Sequence, residues 1–245
     1  MSLTIATLFP LVTVAAGDEA NATALVRRAA ARGLDARAVT VSRPEEMVPA
    51  DLYLVGGTGR SGTAALVELL ECAGFADSVR RGRCSVFAVD AGMDALARSW
   101  TDPAGVPRSG LGLLGLSVLP GPAVTETVVT RPTDHLPAMV GWVSHDTRTV
   151  RDPGLPALAE VERGSAHLVL EPDGAVHDRI LATRLHGPVL ALNPELADLV
   201  LGRLAPGASA SWGPLDSPDA QRARAERIAE IRATPVRARR WGRRG

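Results

Sequence analysis

A buried strand that turns at once into a helix is encoded by Ser85-Val-Phe-Ala-Val-Asp-Ala-Gly-Met-Asp-Ala-Leu-Ala-Arg98. Its first five residues form an apolar run, which predicts a buried strand, and the Ala- and Leu-containing end predicts a helix. No loop separates the two, so Asp90 stands at the tip of the turn. This arrangement is typical of a nucleophile elbow, which holds its tip residue exposed above a sheet. The small residues Ala91 and Gly92 suit the crowded backbone there, and the helix amides behind them favour an oxyanion.

Strands and helices alternate through the first hundred residues. Apolar runs predict strands at Leu3–Phe9, Ala36–Val41 and Asp51–Val55, and apolar residues at helical spacing predict helices at Ala20–Arg32 and Thr63–Ala73. The first run superficially resembles the apolar core of a signal peptide, but no positive charge precedes it and a proline interrupts it. Alternating strands and helices predict parallel β-α-β units with helices on both faces of a mostly parallel sheet.

The pattern changes after about residue 105. Short segments separated by turn residues predict strands with short loops, possible antiparallel additions to the sheet, at Gly110–Ser117, Val124–Thr130, Ala138–Val143 and His167–Leu170. A helix resumes at Asn193-Pro194 and runs through Glu195 to Leu204. The Gly-, Pro- and Ser-rich stretch 206–217 predicts a boundary, followed by a charged helix at Pro218–Ala233 and a mobile Arg-rich tail at 237–245. We therefore predict a main domain over residues 1–205 and a C-terminal helix and tail over 206–245.

Composition excludes several classes of function. The chain has 245 residues, 46% of them hydrophobic, and its 27 basic residues, all arginine, balance 27 acidic ones. No overall field therefore favours nucleic acid or an anionic membrane, and four Trp, three Phe and one Tyr provide little for a base-stacking platform. The two cysteines form no disulfide framework, which favours the reducing cytoplasm, and no apolar run approaches the length of a membrane span.

Two places satisfy the rule that ligands bind beyond the carboxyl ends of parallel strands. One is Gly56-Gly57 after the third predicted strand, and the other is the turn at Asp90. The histidines show no metal-ligand spacing, so we expect no metal and no cofactor. The sequence Gly110-Leu-Gly-Leu-Leu-Gly115 fits the dinucleotide-loop pattern in spacing, but it lacks the flanking strand and helix and is predicted to be a turn.

The elbow resembles that of class I glutamine amidotransferases of the cobyric-acid-synthase type. Within that family, the resemblance is greatest to glutaminase subunits that work with a Mur-ligase-like ATP-dependent partner to amidate lipid II. Further segments with the same resemblance are Leu52–Gly57, Gly141–Thr149 and Ala182–Asp198. The resemblance covers roughly residues 3 to 204 in order. It implies a flavodoxin-like α/β fold, a site at the strand ends, and a heteromer with a Mur-ligase-like subunit.

The resemblance also assigns roles, and the chain departs from them at the decisive position. The nucleophilic cysteine of the family corresponds to Asp90, whereas its basic histidine is retained as His186. The glutamine-binding arginine of the family precedes the strand that here contains Glu126, where no arginine stands, although Arg131 lies close downstream. Substrate- or oxyanion-binding positions are expected at Gly56, Gly57, Ala91, Gly92 and His145, with a structural role as the alternative for His145.

The chemistry of glutamine hydrolysis requires a thiolate that an imidazole activates. A carboxylate at residue 90 is a far weaker nucleophile toward an amide. Cys84 stands six residues before the tip, roughly 20 Å along a strand at about 3.3 Å per residue, and Cys72 is predicted on the preceding helix. We therefore predict that the protein does not hydrolyse glutamine by the thioester route.

Three interpretations follow. In the first, the protein is a non-hydrolysing amidotransferase-like subunit that binds a Mur-ligase-like partner, and Asp90 is vestigial or structural. In the second, it is a stand-alone hydrolase or transferase in which Asp90 and His186 are catalytic, as a nucleophile or a general base. In the third, glutamine hydrolysis survives with an unconventional nucleophile.

Overall fold

The structure is a computed structural model that describes residues 2–13, 19–59, 61–215 and 218–234. Within these residues the chain forms two sheets with helices packed on them. The strands are β1 (Ser2–Leu8), β2 (Asp35–Val41), β3 (Leu52–Val55), β4 (Ser85–Val89), β5 (Ala97–Thr101), β6 (Pro107–Ser109), β7 (Leu114–Thr130), β8 (Val140–Arg151), β9 (Val161–Arg163), β10 (Ala175–His177) and β11 (Ile180–Thr183). The helices are α1 (Glu19–Ala31), α2 (Thr63–Cys72), α3 (Phe75–Arg80), α4 (Ala91–Leu96), α5 (Ala166–Val169), α6 (Val189–Leu192), α7 (Pro194–Leu204), α8 (Pro206–Ser209) and α9 (Pro218–Ala233).

The first sheet has the strand order β10-β11-β4-β3-β1-β2. All its pairs are parallel except that between β10 and β11 at the edge. The central strands β3 and β4 are buried along their whole length, as expected for a sheet covered on both faces. Their carboxyl ends reach Gly56 and Asp90, so the two predicted ligand sites lie at the same edge of the sheet.

Alternate side chains of the sheet enter two separate cores. Val55, Val86 and Ala88 belong to the core under α2 and α3, whereas Leu54 and Phe87 belong to the core under α1 and α7. This division follows from the period of two along a strand. The expectation of an α/β fold, with a mostly parallel sheet and helices on both faces, is confirmed.

The second sheet has the order β6-β5-β7-β8, and β9 pairs with β7. Strand β7 runs antiparallel to β8 along most of its length, with a register shift between Pro120 and Val124. The expected strands with short loops after residue 105 are present, but the expectation that they add to the main sheet is wrong, because they form a separate sheet in which β7 pairs antiparallel with β8 and parallel with β5. Strand β8 begins beside the histidine segment, since Trp142 and His186 form an isolated bridge.

Three expectations for single segments need correction or comment. Residues 167–170 were expected as a strand but belong largely to α5, because Leu168 and Val169 both donate backbone hydrogen bonds to Ser165; so short an apolar run does not distinguish strand from helix. Strand β7 starts only at Leu114, because residues 110–113 form a loop, as the glycine pattern predicted. The backbone of this loop bonds to residues 95–97. The predicted tail at 237–245 lies outside the described residues.

Helix α9 packs mainly through Ile228, which joins a small core with Val129, Ala138 and Val140. The rest of the helix is largely exposed. None of the helices in the described parts of the chain is both long and apolar enough to cross a membrane.

Candidate active site

Asp90 adopts the backbone conformation of an elbow. Its φ of 48° and ψ of −112° lie where L side chains are strained, at a cost on the order of 1–3 kcal/mol. The strand side is fixed by a hydrogen bond from the Asp90 amide to Thr183 O at 2.8 Å, and the helix side by one from the Asp94 amide to Asp90 O at 3.1 Å. The turn therefore holds residue 90 in one place, between β4 and α4.

Gly92 allows helix α4 to lie directly against the end of β3. A Cβ atom at this position would stand 2.2 Å from Val55 O and 3.1 Å from Gly56 O. Gly57, the next residue, lies against the site itself, because a Cβ there would stand 3.1 Å from His186 Cε1 and 3.4 Å from Asp90 Cβ. The glycine pair and the elbow glycine thus create the close approach of strand and helix.

We expect Gly92→Ala to destabilise the fold by about 3 kcal/mol, because the new methyl group meets a backbone carbonyl that has no room to move. Urea unfolding followed by circular dichroism measures the loss. Gly207→Ala is the matched control, since a Cβ there meets nothing within 4 Å, and its effect should stay within about 0.5 kcal/mol. Equal stability of the two variants would contradict the packing described.

The carboxylate and the imidazole face each other. His186 Nε2 lies 3.5 Å from Asp90 Oδ2, and both side chains are almost fully buried. The imidazole stacks on the Trp142 indole, with ring centroids 4.9 Å apart. The backbone amide of His186 donates a hydrogen bond to Trp142 O at 2.8 Å. Gly187 makes room for this stack, since a Cβ there would stand 2.4 Å from Trp142 Nε1. Nδ1 of His186 is buried without a hydrogen-bond partner in the described part of the chain.

The guanidinium of Arg184 engages the other carboxylate oxygen. Arg184 Nη1 lies 3.2 Å from Asp90 Oδ1, and its Nη2 lies 2.6 Å from Asp94 Oδ1. Arg184 Nη2 also donates to Thr149 Oγ1 at 3.2 Å. All three charged side chains are less than a tenth exposed. Asp90 is therefore part of a buried ion cluster of Asp90, Arg184 and Asp94, which we call the elbow ion cluster.

These contacts decide the charge state of Asp90. Burial acts to raise the pKa of its carboxyl group, but the facing His186 imidazole and the Arg184 guanidinium outweigh burial and hold the pKa below its ordinary value. Burial likewise acts to lower the pKa of Arg184, and Asp94 and Asp90 raise it above its ordinary value. Asp90 and Arg184 are therefore a charged pair at neutral pH.

A third carboxyl group positions the arginine. Asp173 accepts hydrogen bonds from the Thr183 hydroxyl at 2.6 Å and from the Arg184 amide at 2.8 Å. Complete burial raises the pKa of Asp173. This residue fixes the backbone at the end of β11, from which Arg184 and His186 reach the elbow.

A cleft of about 260 Å³ opens over the elbow. Asp90, Ala91 and Asp94 form its floor, and residues 144–147 of β8 form one wall, with His145 among them. The His145 ring donates a hydrogen bond from Nδ1 to Thr147 O at 3.0 Å. His186 and Gly57 are absent from the lining.

Both thiols lie away from the elbow. Cys84 immediately precedes β4 and is therefore at the opposite edge of the sheet from Asp90. Burial raises the pKa of Cys84 to about 11, which opposes thiolate formation. Cys72 is the last residue of α2 and is exposed. Neither appears in the lining of the cleft.

The arginine near the expected glutamine site does not reach the cleft. Arg131 pairs loosely with Glu160, 3.7 Å apart, on the surface. Glu126 instead accepts a hydrogen bond from the Ser165 amide at 2.8 Å. Neither residue lines the cleft over Asp90.

The sequence analysis predicted that Asp90, His186 and the glycines lie at one site, and the structure places them close together. The sequence analysis did not identify Arg184, Asp94 or Trp142. Two signals existed in the sequence: Asp94 follows Asp90 by four residues on a predicted helix, and Arg184 precedes His186 by two residues in the segment that resembles the family's histidine segment. The pairing of the arginine with both carboxylates is a tertiary contact. Within the described residues, no three His, Cys, Asp or Glu side chains form a group suited to a metal ion.

Two solved structures share this architecture. A crystal structure of a glutamine amidotransferase superposes with a TM-score of 0.58 at 18% identity, covering 82% of this chain and 98% of that one. The structure of PurLQS from Thermotoga maritima superposes with a TM-score of 0.53 at 14% identity, covering 86% of this chain and 98% of that one. The chain therefore has the class I glutamine amidotransferase fold, which confirms the fold expected from the elbow.

One curated protein is similar in sequence as well. The subunit GatD of the lipid II isoglutaminyl synthase (glutamine-hydrolyzing) of Staphylococcus aureus strain N315 is 27% identical over 195 residues, which cover 75% of this chain and 76% of GatD. No protein-family model matches the chain. The protein is thus glutamine amidotransferase-like and a distant relative of GatD.

Proposed function

We propose that this protein is a GatD-like subunit that does not hydrolyse glutamine by the thioester route and acts in the cytoplasm with a Mur-ligase-like, ATP-dependent partner in an amide-forming reaction. In this role it stabilises the ligase, positions the ligase substrate, or delivers something other than ammonia from glutamine. The relationship to GatD, itself named as a synthase subunit, supports the heteromeric part of the proposal.

One observation carries the non-hydrolysing part: the residue at the elbow tip is a buried carboxylate that is paired with the Arg184 guanidinium. Arg184 holds Oδ1 at 3.2 Å and His186 faces Oδ2 at 3.5 Å. A carboxylate paired with an arginine is a poor nucleophile, and its attack on an amide would give an anhydride rather than a thioester. The imidazole, which would activate a thiol at this position, here faces a carboxylate.

We expect no ammonia above the blank when glutamine is incubated with the pure protein, or with its complex with a Mur-ligase-like protein from the same host. The complex should form amide product with an ammonium salt, and glutamine should not replace that salt. A coupled glutamate dehydrogenase assay measures the ammonia, with the S. aureus GatD as positive control. Ammonia released from glutamine by this protein would contradict the proposal, and so would failure to associate with any such ligase.

A second candidate is a hydrolase or transferase that uses Asp90 and His186. The observation in its favour is that Asp90 lines an open cleft and is ionised. Asp90→Asn and His186→Ala should then each abolish an activity while the protein stays folded, whereas Asp146→Asn at the wall of the cleft should retain it. An active Asp90→Asn variant would remove this candidate, and unchanged ligase binding by the same variant would agree with the first.

A further inference from the structure

A second cavity among the described residues shares no lining residue with the cleft over the elbow. It is a groove of about 1120 Å³ between α1, α7, the segment 212–215 and α9, which we call the α9 groove. Small-molecule sites usually measure roughly 300–1,000 Å³ and enclose their ligand. The α9 groove is larger and lies open at the surface, so its size favours a segment of a macromolecule.

The groove is basic. Five arginines line it: Arg27, Arg28, Arg32, Arg224 and Arg232. Its acidic lining residues are Glu195 and Asp198, and Glu162 of β9 pairs with Arg232 from outside the lining. Asp198 serves two arginines at once, Arg28 at 2.6 Å and Arg32 at 2.5 Å. An excess of positive charge therefore remains in the groove, and this charge favours a negatively charged occupant.

Some of these arginines are already held in place. Arg32 donates to Gly213 O at 2.6 Å and lies over the Trp212 ring, 5.0 Å from its centroid. Arg224 donates to Ala138 O at 2.9 Å, and its buried Nε has no hydrogen-bond partner in the described part of the chain. Side chains ordered in advance lose less entropy on binding. Arginine and tryptophan are also the residue types that dominate binding energy at protein interfaces.

Arg27 differs from the others because it is exposed on α1 and forms no ion pair with any described acid. Between the charges the groove offers apolar surface from Leu192, Leu215 and Ile228. The occupant must therefore bring acidic and apolar side chains together. Residues 235–245 of this chain carry five arginines and no acid, so like charge opposes their binding here.

We propose that the α9 groove docks an acidic, apolar-bearing segment of the Mur-ligase-like subunit. The inference rests on the function proposed above, since it names the surface through which the two chains associate. It leaves the elbow free, because none of the lining residues of the groove also lines the cleft over Asp90.

The test measures the affinity of the full-length protein for the Mur-ligase-like protein of the same host by calorimetry. Arg27→Glu reverses an exposed charge, and Ala225→Trp fills the groove from α9. We expect each variant to weaken binding about tenfold, and binding by the wild type to weaken as ionic strength rises. Arg37→Glu, an equally exposed reversal on β2, should bind like the wild type. Hydrogen exchange should show protection of residues 212–215 in the complex.

The outcomes separate the two proposals. If the wild type binds the ligase and both groove variants bind equally well, the groove is not the docking surface, while the proposed partnership stands. If the wild type does not bind the ligase, both proposals fail. If light scattering shows instead that the wild type forms a dimer that Arg27→Glu dissociates, the occupant is a second copy and the docking proposal is overturned.

Discussion

Arg184→Ala should cost about 3–5 kcal/mol of the free energy of unfolding, the largest effect we expect from any single substitution in this protein. Its guanidinium lies within 3.2 Å of Asp90 and 2.6 Å of Asp94, and both carboxylates are less than a tenth exposed. Removing the cation leaves two buried negative charges uncompensated on one short helix. Urea denaturation at neutral pH measures the loss.

Two matched variants separate lost charge from lost packing. Arg148→Ala removes an exposed arginine on β8 and should change stability by no more than about 0.5 kcal/mol. The triple variant Arg184→Met, Asp90→Asn, Asp94→Asn removes the whole ion cluster and should regain most of the stability, because a buried ion set replaced by neutral groups is often tolerated. A triple variant as unstable as Arg184→Ala would show that packing, not charge, explains the loss.

Asp90→Cys should create the most reactive thiol in the protein. The new sulfur would stand beside His186 and Arg184, and neighbouring cations lower the pKa of a thiol. At mildly acidic pH we expect alkylation by iodoacetamide roughly tenfold or more faster than at exposed Cys72, since the thiolate fraction controls the rate. Mass spectrometry of the labelled peptides measures both rates in one sample, and Cys84, with a pKa of about 11, should stay unlabelled.

The control for this experiment is the double variant Asp90→Cys, His186→Ala, which keeps Arg184 but lacks the imidazole. Its labelling should fall toward that of Cys72. If the single and double variants react alike, His186 takes no part in activating a group at position 90. If they differ as expected, the surroundings of the elbow remain able to activate a thiol.

Much of the candidate site followed from local pattern. Short sequence patterns predicted tight turns at the ends of two buried strands. These patterns are the strand that ends at Val89, the small residues Ala91 and Gly92 that follow it, and the glycine pair at 56–57. In a parallel sheet such turns meet at one edge, so their proximity needed no long-range information. His186 was placed by resemblance rather than by periodicity.

Other features depended on tertiary contacts that no local rule predicts. Most of the segment 167–170 is helical because its three apolar residues fit either structure, and tertiary contacts decided between them. The α9 groove formed because α9 lies across from α1, although the stretch 206–217, rich in Gly, Pro and Ser, separates α9 from α7 in the chain.

The layered α/β fold could be predicted from the sequence alone, and so could a carboxylate at residue 90, where the resemblance to glutamine amidotransferases expects sulfur. Both follow from short-range hydrophobic order and from the identity of one residue. The charge state of that carboxylate depends on the folded structure, because Arg184 stands 94 residues after Asp90 in the chain and reaches it only when β11 pairs with β4. Because the side chains of Arg184, Asp90 and Asp94 are buried, the fold is stable only when their charges are paired.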